Sequence, residues 1–124
     1  MQKITVQGME YDLDLTVGSF AEISEICPGG DFSRIDELFK LPAGKEMIVS
    51  AKMLAALSKG AEERKCFEDP SYSPRPLTYQ VLVNLPLLEY NPIHAQLASI
   101  ISGCLSEQKV TTETSKKKEK TAEK

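Results

Sequence analysis

The sequence predicts an α+β fold: an N-terminal two-stranded antiparallel hairpin packed on a mainly α-helical domain of four to five helices, with a disordered C-terminal tail. Three observations carry this reading. Residues 2–15 alternate apolar and polar with a period of two. Residues 45–67 and 92–107 carry apolar residues at helical spacing. From Gln108 onward only Val110 and Ala122 are apolar, too little to offset the entropy lost on ordering that stretch. The 124 residues therefore divide into one compact domain, 1–107, and a basic tail, 108–124.

In the hairpin, "QKITVQGMEYDLDL", Ile4, Val6, Tyr11, Leu13 and Leu15 share one face, and Lys3, Thr5, Asp12 and Asp14 the other. A Gly8-Met9 loop opposes Val6 to Tyr11, Ile4 to Leu13 and Lys3 to Asp14. Asp12 and Asp14 then lie on a solvated strand face rather than forming an acid–base pair.

The helices follow from their punctuation. Ser19 with Glu22 has capping-box spacing and predicts a helix over about 20–27, stopped at Cys27-Pro28, with Phe20, Ile23 and Cys27 inside. After "PGGDFS", Ser33 with Asp36 caps a short helix, 34–40, burying Ile35, Leu38 and Phe39. The longest helix, 45–67, has an apolar face of Met47, Ile48, Ala51, Leu54, Ala55 and Leu57. Gly60 within it costs about 1 kcal/mol relative to alanine and either ends or weakens it. Pro70, Pro74 and Pro76 make residues 69–78 an extended connector, and Thr78 caps a short helix over 79–84. Asn91-Pro92 reads as an N-cap with proline at the first helical position. The helix it opens, 92–107, aligns Ile93, Leu97, Ile100 and Cys104, with Ile101 and Leu105 widening the stripe.

Little in the chain points to catalysis. Its single histidine, His94, has no second histidine to share a metal and reads as a surface or interface residue. The three cysteines, Cys27, Cys66 and Cys104, are widely spaced and fall near helix C-termini, where the dipole disfavours a thiolate; Cys27 and Cys104 read as small hydrophobes. "AGKE", residues 43–46, lacks the earlier glycine and the following Ser or Thr of a phosphate-binding loop. No catalytic, cofactor or metal residues are expected.

Charge is divided along the chain. The tail holds six lysines and three glutamates, +3; taken from totals of 15 basic and 18 acidic residues, this leaves nine and fifteen, −6, on residues 1–107. With no aromatic residue among the tail lysines and an acidic body, neither specific nucleic-acid recognition nor membrane anchoring is expected. Met1–Thr5 reads as strand rather than as the apolar core of a signal peptide, so a cytoplasmic location is expected.

The order of segments resembles the small tail assembly chaperones of long-tailed phages and of prophages of Gram-positive bacteria. The likeness is carried by "ITVQGMEYDLDLTVGSFAEI", "ICPGGD", "LSKGAEE", "PSYSPRPLT" and a basic tail opening "VTTET". It spans nearly the whole chain and is one of segment order and local wording. It implies a non-enzymatic protein of the host cytoplasm that binds the tape-measure protein, recruits tail-tube subunits and is absent from the mature virion. Self-association as a homo-oligomer stays open. Such a protein needs apolar helix surface for its client; the candidates are Met47, Met53, Leu54 and Leu57. Met53, beside Lys52 and off the main stripe, is the one expected to be exposed. The resemblance also implies a longer product made by ribosomal slippage, for which the lysine run 116–118 is a fitting site. The competing reading is a small regulatory protein that binds nucleic acid nonspecifically through its basic tail.

Overall fold

The computed structural model describes the backbone of residues 1–117 and the side chains of residues 1–107. The expected tail, 108–124, with the lysine run 116–118, lies outside the described side chains.

Strands β1 (Gln2–Val6) and β2 (Met9–Leu13) form the antiparallel hairpin. Its register corrects the expected one by two residues: Val6 faces Met9, Ile4 faces Tyr11 and Lys3 faces Asp12. The loop is Gln7-Gly8, with φ of 50° and 79°. A two-residue turn with positive φ at both positions places glycine second, whereas the expected register placed it first. A shift of two preserves strand parity, so Ile4, Val6, Leu13 and Leu15 are buried as expected.

Helix α1 is Val17–Ile26, one turn longer at its start than expected. Its cap is Thr16, not Ser19: Thr16 Oγ1 accepts from the Ser19 N–H at 3.2 Å, and Ser19 Oγ accepts from the Thr16 N–H at 2.8 Å. Ser19 also donates to the Asp14 carbonyl at 2.9 Å. That binds it to the end of the hairpin and leaves it inside the helix. Phe20, expected inside, is exposed and stacks at 4.8 Å on Phe32. The short helix expected at 34–40 is a 3₁₀ segment, Phe32–Lys40, capped by Asp31 instead of Ser33. Phe32, Ile35 and Leu38 recur every third residue, the period at which a 3₁₀ helix aligns side chains.

Helix α2, Ala43–Glu68, is the spine of the domain and runs through Gly60 without a break. α1, the hairpin, the 3₁₀ segment and the two short helices Tyr79–Val83 and Leu87–Ala95 all pack on it. It is therefore buried on more than one face, and Met53, Leu54 and Leu57 are 0% exposed. Met53 is thus core, correcting its expected exposure; Ile48, placed on the core face, is 41% exposed.

Thr78 caps α3, Tyr79–Val83, as expected. The final helix is two. α4, Leu87–Ala95, starts after Pro86 and holds Pro92 in its interior, and α5, Leu97–Lys117, follows the break at Gln96. Pro92 has no N–H to give the preceding turn, and the helix ends one turn later, rather than opening at Pro92. The apolar stripe survives the break: Ile93, Leu97, Ile100, Ile101 and Cys104 are all buried, and Leu105 is exposed. No helix among the described residues is long and apolar enough to cross a membrane.

Candidate functional site

Helix α2 begins ahead of the part that the hairpin covers, and its first turns meet α3 and the start of α4. There Met47, Ile48 and Ala51 face Leu82, Val83, Leu85, Leu87 and Tyr90 across an apolar pocket of about 240 Å³. The surface around it stays apolar: Leu87 is 61% exposed and its neighbour Leu88 81%. Pro86 sets this up by starting α4 abruptly, so that Leu87 and Leu88 occupy a first turn with little packed over them. Scattered exposed leucines are ordinary, but exposed apolar residues grouped around an apolar pocket make this the candidate binding surface. Of the four residues expected on a partner surface, Met47 lines this pocket; Met53, Leu54 and Leu57 lie in the core.

Beneath the pocket lies a polar cluster. Ser50, 1% exposed, hydrogen-bonds the Tyr90 hydroxyl, and its Oγ lies 2.9 Å from His94 Nδ1. His94 Nε2 is 3.6 Å from a Glu46 carboxylate oxygen. The histidine is therefore neither in the first turn of the last helix nor a free surface group: it sits in the last turn of α4 and joins that helix to α2. The order Ser–His–Glu has the outline of a hydrolytic triad, but Ser50 Oγ is sealed from solvent and also donates to the Met47 carbonyl at 2.8 Å. What the arrangement does is hold the Tyr90 ring in place as a pocket wall. Burial pushes the Tyr90 hydroxyl up, more than the Ser50 hydrogen bond lowers it, so it remains a neutral phenol.

A second polar network joins the hairpin to the far half of α2. Asp12 pairs with Lys3 at 2.6 Å and with Lys65; Asp14 pairs with Arg64 at 2.6 Å. These carboxylates are largely buried against α2, correcting the solvated strand face expected for them. The hydrogen bonds from Lys3 and then Lys65 hold the Asp12 carboxyl below its usual range. Asp12 is held by two cations and Asp14 by one, an arrangement that fixes position rather than shuttling protons. Among the described residues no group of three or more His, Cys, Asp or Glu could hold a metal ion, and all three cysteines are free thiols.

Sequence reasoning missed Ser50, Ser58 and Glu62, the polar residues buried on α2. Their signal was present: each interrupts an apolar surface at helical spacing, and each ties down another segment. Fold and site together define a small α+β protein with an apolar pocket on a helical body. Comparison with protein-family models, curated proteins and solved structures finds no match to the chain.

Proposed function

We propose that this chain is a tail assembly chaperone of a long-tailed phage or prophage, a non-catalytic protein that binds the tape-measure protein and recruits tail-tube subunits during tail morphogenesis. The observation that carries the reading is the apolar pocket over Met47 and Ile48, with Leu87 and Leu88 left exposed beside it. A client made of long amphipathic helices needs such a surface, which offers it burial in place of self-association. The resemblance in segment order supplies the biological setting, and with it a host-cytoplasmic location and absence from the finished virion.

The test is co-expression with the tape-measure protein encoded near this chain. The tape-measure protein stays soluble and co-purifies with the wild-type chain, and Leu87→Asp with Leu88→Asp abolishes both effects. A tape-measure protein equally soluble with and without the chain overturns the reading. Salt-dependent binding to random DNA, lost on deleting residues 108–124, would favour the nucleic-acid alternative instead.

A further inference from the structure

A second depression lies further along α2. This more open groove, about 710 Å³, has Val49, Lys52, Ala55 and Ala56 on its floor, Tyr79 on one wall, and Glu22, Glu25 and Ile26 on the other. The same two helices bound both depressions: Ile48 and Lys52 are one turn apart on α2, and Val83 and Tyr79 one turn apart on α3. From Gly44 to Ala56 the combined floor extends about 18 Å along the helix axis. That is the length of three helical turns.

The two ends differ in chemistry. At the pocket end the lining side chains are apolar apart from the Tyr90 hydroxyl. At the other end two carboxylates stand over an alanine floor, with Lys52 the one cation in the lining among the described residues. Glu22 is already paired with Lys59 at 2.9 Å, whereas Glu25 is exposed and has no ion pair among the described residues. The body around the groove is acidic, at −6 over residues 1–107.

We propose that the pocket and groove together receive one amphipathic helix of about three turns, with a large apolar side chain in the pocket and a Lys or Arg about two turns away against Glu25. The inference rests on the client-binding reading and adds to it the charge and spacing the client must carry. Residues seven apart on a helix are separated by about 10.5 Å along its axis, the spacing from Ile48 to Ala55 on the floor below.

The experiment measures fluorescence anisotropy of two labelled synthetic amphipathic helices binding to the full chain. Both carry leucine at the anchor position; seven residues on, one has lysine and the other glutamate. The lysine peptide binds wild type about threefold or more tightly than the glutamate peptide at low salt, and the difference shrinks as salt rises. Glu25→Lys reverses the preference, and Ile48→Asp weakens both peptides about tenfold or more. Both substitutions are at exposed positions, and the reversal cannot arise from misfolding. Equal binding of the two peptides, no reversal in Glu25→Lys, or an unaffected Ile48→Asp overturns the proposal. So does a dimer dispersed by Ile48→Asp with no peptide bound. Peptide binding with a tape-measure protein left insoluble would sink the phage role and keep the groove; the opposite pair of results would sink the groove and keep the role.

Discussion

The Tyr72 hydroxyl donates a 2.6 Å hydrogen bond to Oε1 of Glu62, a carboxylate on α2 that is only 4% exposed. The same oxygen accepts the Arg75 N–H at 2.9 Å, and Oε2 receives Lys65 at 3.0 Å. Residues 69–78 have no helix or strand of their own, so this carboxylate, with Ser58 Oγ accepting from the Leu77 N–H at 2.7 Å, fixes their path. Glu62→Leu keeps the burial and takes this acceptor from the Tyr72 hydroxyl and the Arg75 N–H, while Lys65 keeps Asp12. It should cost about 2–3 kcal/mol in urea unfolding. Unchanged stability would mean that burial of Leu77 alone holds the connector.

Acid should loosen the same region. Burial pushes the Glu62 carboxyl up, but hydrogen bonds from the Arg75 N–H, Tyr72 and Lys65 outweigh it and leave it below its usual range. Asp12 is lowered too, by Lys3 and then Lys65. A carboxyl with a lower pKa folded than unfolded adds stability above its unfolded pKa and loses that contribution as pH falls through the folded value. Thermal unfolding midpoints should therefore fall as pH drops below about 4. Asp12→Asn should flatten part of that fall; an Asp12→Asn profile parallel to wild type would exclude Asp12 as a source.

The cysteines should differ in reactivity. Burial, then the negative charges of Asp14 and Glu107, pushes the Cys104 thiol up to about 11. Burial and then Asp31 raise Cys27 as well. Cys66 is partly exposed and donates to the Tyr72 carbonyl at 3.7 Å. Brief treatment of native protein with iodoacetamide near pH 8, read by peptide mass spectrometry, should label Cys66 well before the others. Comparable labelling of Cys104 would mean that α5 opens readily.

The faces of the hairpin were legible because parity survives a two-residue slip, but its register depended on which of Gln7, Gly8 and Met9 took the positive φ angles. The stripe from Ile93 to Cys104 was legible across a break that Pro92 seemed to place elsewhere. Met53 was not, because counting one apolar face presumes one covered side, and α2 is covered on several. The pocket stayed hidden for a related reason. Its walls come from α2, α3 and α4, and no local spacing in the chain reports how these meet.

Gly60 is the last such case, since propensity and packing give opposite signs there. Replacing a helix-interior glycine by alanine ordinarily stabilises by about 1 kcal/mol. A Cβ at Gly60, however, would lie 2.9 Å from both Ser19 Oγ and Thr16 Oγ1 and 3.0 Å from Ser19 Cβ. Those short side chains are locked in the cap of α1 and bonded to the end of the hairpin, so they have little room to yield. The packing penalty should win, and Gly60→Ala should destabilise by about 1–3 kcal/mol. Gly103 provides the control. Its added Cβ would meet the Gln2 side-chain amide at 2.7 Å, the far end of a flexible side chain whose hydrogen bond to Glu107 is exposed. Gly103→Ala should therefore be neutral or stabilise by up to about 1 kcal/mol. Chemical denaturation of the two variants side by side decides it: equal shifts of the same sign would mean that α1 does not sit against Gly60 as closely as these distances require.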